Sequence, residues 1–136
     1  MSKVIKIRKG LDIKLAGKAE KVLEKLELSS TYAVKPTDFP GLVPKLLVKP
    51  EDKVKVGSPL FFDKNRPKVL FTAPVSGTVK SINRGERRAI LEVVIEPDDY
   101  QICEQFDVEN FESLSRDAIK ATLLESGAWP SIVQRP

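Results

Sequence analysis

The chain has 136 residues, a formal net charge of +4, 41% hydrophobic residues, one cysteine and no histidine. That length suits one domain with a true core, or one domain and the start of another. The missing thiols and imidazoles exclude an intrachain disulfide, a multi-thiolate metal site and every Ser-His or Cys-His nucleophile pair.

The charge is unevenly spread. Residues 1–90 hold 20 Lys+Arg against 9 Asp+Glu, whereas residues 91–136 hold 3 against 10. A basic body followed by an acidic stretch means either that each faces a different neighbour or that they face one another. No run reaches the roughly 18 apolar residues that cross a bilayer as a helix. The basic start Met1–Gly10 has no apolar core of signal-peptide length behind it, so a cytoplasmic address is expected.

In chain order, Val4, Ile5 and Ile7 alternate with Lys3, Lys6 and Arg8 as a short strand, and Leu11–Leu15 repeats the alternation. Ala19, Val22, Leu23 and Leu26 fall at helical spacing and predict a short helix over 18–28. Tyr32–Val34 reads as a strand. Pro36, Pro40, Pro44 and Pro50 then exclude a helix and fit edge segments and turns around the apolar run Leu42–Val48. Leu60–Phe62 and Val69–Phe71 read as the arms of a hairpin whose polar tip is Asp63–Pro67.

The stretch that organises the chain is Phe71–Gly85, with Ala73-Pro74-Val75-Ser76-Gly77 at its start. Pro74 lacks an N–H and Gly77 tolerates positive φ, so a sharp corner is expected before the strand Thr78–Ile82. Asn83-Arg84-Gly85 is a second turn, and Arg88–Ile95 a third strand. A module boundary is expected near Glu96-Pro97-Asp98-Asp99. Beyond it Ser115 caps a helix with Leu114 and Ile119 as its staple, Ile119, Leu123 and Leu124 form the buried stripe, and Gly127 ends it. No closing element follows Trp129, so the chain reads as ending inside a second domain. The expected division is 1–97 and 98–136.

Few residues point to chemistry. Lys64 follows an acidic residue on a hairpin, as does the modified lysine of biotinyl and lipoyl carrier domains, which these residues resemble; the tip reads as too long for their tight turn. Arg84, Arg87 and Arg88 suit phosphate, as do Lys3, Lys6, Arg8 and Lys9, but neither cluster has the interleaved aromatics of a nucleic-acid binder. Asp98-Asp99 and Glu109 with Glu112 are paired carboxylates that read more simply as solvated acidic loops. Cys103, among acidic neighbours, reads as a small apolar filler. The seven glycines form neither G-x-G-x-x-G nor a P-loop.

Taken in order, Ile5–Asp12, Gly57–Lys64, Phe71–Gly85, Val93–Glu96, Phe106-Asp107, Ser113–Arg116 and Leu123–Trp129 with Arg135-Pro136 closely resemble the A subunits of the bacterial sodium-translocating NADH:quinone oxidoreductases, over almost the whole chain. Residues 18–35 match least. The resemblance implies a mainly β fold, a barrel-sandwich hybrid module like the carrier domains, followed by a short α-containing segment. It further implies a peripheral, cofactor-free subunit on the cytoplasmic face, with flavins and the iron–sulfur centre in other subunits and quinone contact possible. The family is also similar to the flavin-binding subunit of respiratory complex I and to the Rnf-complex C subunit, whose glycine-rich flavin loop corresponds here to Glu125–Ser131, with one glycine and Trp129. Lys64, Arg66, Arg84, Arg87 and Arg88 are the candidate contacts to subunits or lipid headgroups. A carrier module modified at Lys64 and a basic nucleic-acid-binding domain are the alternatives.

Overall fold

The computed structural model describes residues 10, 16–24, 27–106 and 113–132. The strands expected at Val4–Ile7 and Leu11–Leu15, the Lys3–Lys9 cluster, and Glu109 with Glu112 lie outside the described residues. The strands are β1 (Tyr32–Val34), β2 (Pro44–Leu46), β3 (Lys53–Val54), β4 (Pro59–Asp63), β5 (Arg66–Thr72), β6 (Gly77–Arg84) and β7 (Ile90–Pro97), and the helix is α1 (Arg116–Glu125). Two sheets form, one in the order β1-β7-β6-β3 and one in the order β2-β4-β5, with antiparallel pairing throughout. This is the barrel-sandwich hybrid module, followed by a short helical segment.

The alternation of the sequence becomes the two faces of each sheet. Val79 stands opposite Ile95 and Ile82 opposite Val93, while Phe61 stands opposite Phe71 with the two rings stacked at 5.1 Å. Leu60, Phe61, Val79, Val93 and Ile95 are completely buried between the sheets. Each such side chain contributes roughly 1.5–3 kcal/mol by leaving water. The exposed ion pair Lys80–Glu96, at 3.7 Å, adds at most about 1 kcal/mol, so burial decides the fold.

The corner after β5 holds for a different reason from the one expected. Gly77 has no positive φ; instead, a Cβ there would collide with the carbonyl of Glu96 and the Cα of Pro97. Its neighbour Ser76, only 1% exposed, is fully engaged. Its N–H donates to Gln101 Oε1 at 2.7 Å, its hydroxyl donates to the Tyr100 carbonyl at 3.3 Å, and its Oγ accepts from Ile102 N–H at 2.9 Å. The Ser76 carbonyl accepts from Asp98 N–H at 2.9 Å. Residues 98–102 are thereby sewn to the corner, and Asp98-Asp99 belongs to this turn. The chain then runs beside Val56 in a parallel bridge to Cys103. Cys103 itself is exposed, so it is not the core filler its size suggested.

Glu104 closes this attachment. Its Oε1 accepts from Ser58 Oγ at 2.9 Å and its Oε2 lies 3.3 Å from Lys55 Nζ. The Ser58 hydrogen bond first, then the Lys55 hydrogen bond and last the Lys55 charge hold the Glu104 carboxyl below its ordinary value, against an opposing effect of burial.

Three further expectations change. Residues 18–24 and 27–28 are not helical, and Val22 and Leu23 are exposed, Leu23 at 99%. So short a helix does not persist when its apolar stripe has nothing to cover it. The turn expected at Asn83–Gly85 falls three positions later: β6 runs through Arg84, and a 3₁₀ turn at Glu86–Arg88 reverses the chain. In α1 the Ser115 cap is present, Oγ accepting from Ala118 N–H at 3.2 Å, but Ile119 is 40% exposed and lies outside the packed stripe. Gly127, at φ +71°, ends the helix where a Cβ would strike Thr72 of β5.

Two outcomes test this packing. Gly77→Ala is expected to destabilise the chain by at least about 2 kcal/mol, because the obstacle is backbone and cannot move aside; an unchanged thermal midpoint by circular dichroism would refute the close approach. Because the Glu104 carboxyl is depressed in the folded state, its stabilising contribution is present above its unfolded pKa and is lost as pH falls through the folded value. A carboxyl-carbon NMR titration should place Glu104 below an ordinary glutamate, and Ser58→Ala and Lys55→Met should each move it back toward the ordinary value; no movement in either variant would contradict the assignment.

Candidate docking surface around the proline-rich loop

The segment between β1 and β2 is built by its prolines. Pro36 opens a 3₁₀ turn at Pro36–Asp38, where its fixed φ suits the first position, and the turn closes with Phe39 N–H donating to the Pro36 carbonyl at 3.2 Å. A second turn follows, with Leu42 N–H donating to the Phe39 carbonyl at 3.2 Å and Gly41 at φ +77°. Phe39 anchors the loop to the core by an edge contact with Phe71 at 4.5 Å.

The far end of the loop is held by the β4–β5 hairpin. Asp63 pairs with Arg66, so the tip is the two-residue turn Lys64-Asn65 and not the long polar tip suggested by the run Asp63–Pro67. Pro67 lacks a ladder donor, and the register is interrupted behind it between Asp63 and Phe62. Asp63 is 7% exposed; its Oδ1 accepts from Asn65 N–H at 3.0 Å and from Val43 N–H at 3.5 Å, while Lys64 N–H donates to the Val43 carbonyl at 2.8 Å. One buried carboxylate therefore positions both the turn that carries Lys64 and the loop beside it. Nothing in the sequence distinguished Asp63 from the other charges of that tip, although its place next to a β-turn is where an aspartate bonds its own backbone.

The loop separates two cavities. On one side a groove of about 580 Å³ runs between Pro36, Phe39, Pro40 and Pro44 and the end of the β6–β7 hairpin, where Arg84, Arg88 and Ile90 line it. On the other a cavity of about 500 Å³ is bounded by Asp38, Asp63, Arg66, Phe71 and Trp129. Lys64, Arg66, Arg84 and Arg88, spread over 25 positions of sequence, thus border one loop. Arg87 is exposed at the hairpin end without lining either cavity. Arg84 Nη1 donates to the Arg88 carbonyl at 3.1 Å, and Arg87 and Arg88 both take left-handed backbone, at φ 52° and 62°. That conformation costs about 1 kcal/mol or more per non-glycine residue, and the hairpin end holds it through Gly85 N–H donating to the Ala89 carbonyl at 2.8 Å.

A third groove, of about 560 Å³, lies between β5 and α1 and is lined by Lys68, Leu70, Asp117, Lys120, Leu124 and Glu125 among others. Its charges are of both signs. Among the described residues, no three or more His, Cys, Asp or Glu gather as a metal site, and no helix is long and apolar enough to cross a membrane. The arrangement can bind through charge and apolar contact.

Residues 5–98 match the family model described as the NqrA N-terminal barrel-sandwich hybrid domain. Among curated proteins, the chain is 39% identical over 135 residues to the A subunit of the Na(+)-translocating NADH-quinone reductase of Haemophilus influenzae, covering 98% of this chain and 30% of that protein. The proteins of the same name from Yersinia pseudotuberculosis and a Marinomonas species are each 42% identical, over 135 and 133 residues. The chain spans about 30% of the length of the curated relatives it matches.

Asp63→Ala strands the amides of Val43 and Asn65 and is expected to cost about 1–3 kcal/mol in urea unfolding, with faster hydrogen exchange at both amides. Exchange unchanged at Val43 would show that the loop is held some other way.

Proposed function

We propose, from the premise that this chain belongs to the family of the NqrA N-terminal barrel-sandwich hybrid domain, that it is a cofactor-free, peripheral docking part of a sodium-translocating NADH:quinone oxidoreductase. The observation that carries the reading is the 39–42% identity to the A subunits of such enzymes along 96–98% of this chain. In this reading the complex passes electrons from NADH to quinone and moves sodium. Flavins and the iron–sulfur centre reside in other subunits, and this chain contributes structure and contacts on the cytoplasmic face of the membrane. Residues 1–97 are the β-module and residues 98–136 begin the next domain. Quinone contact, where it occurs, has no assigned residue here.

The candidate contacts support the docking role by position. Lys64, Arg84, Arg87 and Arg88 are exposed, and no ion pair engages them or Arg66 among the described residues. Binding a partner would let them find counter-charges that the fold itself withholds. The single glycine of the Glu125–Ser131 stretch, Gly127, is committed to packing on Thr72, which supports a structural use of that stretch. A carrier role for Lys64 has one observation in its favour, the two-residue turn that presents it.

One preparation tests these readings together. The chain purified after co-expression with lipoate and biotin ligases should carry no stoichiometric flavin, should not bind NADH, and should have its unmodified mass. In the full-length protein, Arg84→Glu, Arg87→Glu and Arg88→Glu together should reduce incorporation into the complex about tenfold on native gels. Stoichiometric flavin, or an adduct lost in Lys64→Ala, would overturn the cofactor-free reading; undiminished incorporation would overturn the docking role of the arginines.

A further inference from the structure

The groove between the proline-rich loop and the end of the β6–β7 hairpin differs from the other two cavities in its charge. The β5–α1 groove sets Lys68 and Lys120 beside Asp117 and Glu125, and the Arg66 cavity includes Asp38 and Asp63. The loop groove has Arg84 and Arg88 and no acidic residue in its lining among the described residues. Apart from the hydroxyl of Thr37, its remaining wall is apolar: Pro36, Phe39, Pro40 and Ile90, with Val43, 44% exposed, at the lip. Proline walls have no side-chain or N–H donors to spare and Thr37 carries no charge, so recognition of a charged group falls to the two guanidiniums. Their separation is kept by the Arg84 hydrogen bond to the Arg88 carbonyl and by the left-handed backbone at Arg88.

We propose that this groove receives an extended acidic segment of a partner protein carrying at least one apolar side chain, its carboxylates on Arg84 and Arg88 and the apolar group against Phe39 and the prolines. The proposal deepens the docking reading above and rests on it. Charge complementarity selects the occupant: a single-sign basic rim over an apolar floor repels basic segments and leaves a purely polar anion without use for the floor. A lipid surface is a poorer fit, because a concave slot presents few cations to a flat bilayer and each adds only about 1 kcal/mol there. Recognition by planar, bidentate guanidinium groups suits carboxylates on a short extended chain.

The test uses the full chain and a fluorescein-labelled octapeptide, Glu-Asp-Phe-Glu-Glu-Leu-Asp-Glu, in low salt. Fluorescence anisotropy should show saturable binding that weakens about tenfold in Arg84→Glu with Arg88→Glu, and comparably when the peptide's carboxylates are replaced by amides or its Phe and Leu by Ser. The neutral pair Arg84→Gln with Arg88→Asn, in which Asn tolerates positive φ, should lie between wild type and the charge-reversed pair. That keeps the result readable should the reversed pair fold poorly. Equal affinity of the amide peptide, equal affinity of both arginine variants, or binding only to phosphatidylglycerol vesicles, to an oligouridine or to inorganic phosphate would overturn the proposal. Failure of the occupant and failure of docking are distinguishable. Lost incorporation of the variant protein with no peptide binding rejects the acidic occupant and retains docking, whereas arginine-dependent peptide binding with normal incorporation retains the groove and rejects its use in that complex.

Discussion

The carbonyl of Glu96 occupies the place where a side chain on residue 77 would stand. Gly77 stands opposite Pro97 in the antiparallel β6–β7 ladder that carries the buried Val79, Val93 and Ile95, and Ser76 is buried at the same point. A buried hydroxyl and peptide are costly unless satisfied, and here every bond they make goes to residues 98–102. The corner therefore does two things with one constraint. It closes the β-module, and it fixes where the chain leaves it.

From that exit the acidic part of the chain is led back over the basic part. Glu104 reaches Ser58 and Lys55, and Glu96 reaches Lys80, so both ion pairs among the described residues join a cation from residues 1–90 to a carboxylate from residues 91–136. The division of charge is thus partly resolved within the fold. The arginines at the β6–β7 hairpin end stand apart from these pairs. They project from the opposite end of β6 to the corner, beside a loop whose prolines supply no counter-charge. Two basic residues, Lys55 and Lys80, thus find carboxylates within the fold, and no ion pair engages the hairpin-end arginines among the described residues.

The helix shows how little local sequence is needed for an element and how much for its use. Ser115 and Gly127 mark the ends of α1 by backbone chemistry that is the same in any protein. The face it turns to β5 follows from Thr72 and Leu70, which lie far away in the chain, so Leu124 lines the groove and Ile119, earlier on the same helix, stays exposed.

The strand at Tyr32–Val34, the two strands after the Ala-Pro-x-Ser-Gly corner, that corner itself, the hairpin of β4 and β5 and the bounds of α1 were legible in the sequence, because each rests on local restrictions: proline's missing donor, glycine's missing Cβ, period-two alternation and a capping hydroxyl. What the tertiary structure decided are the reasons and the juxtapositions. Gly77 is required by a carbonyl 19 positions away, Asp63 by an amide at Val43, and Cys103, bridged to Val56, is exposed. The helical spacing gives no helix at 18–24 and 27–28 because a stripe is stable only against a surface, and the sequence does not say which surfaces are vacant. The sequence singled out Arg66, Arg84 and Arg88 as candidate contacts, but that Arg66 borders the same loop as Arg84 and Arg88 is decided only when the sheets close, since distant residues are brought together by burial of the core between them.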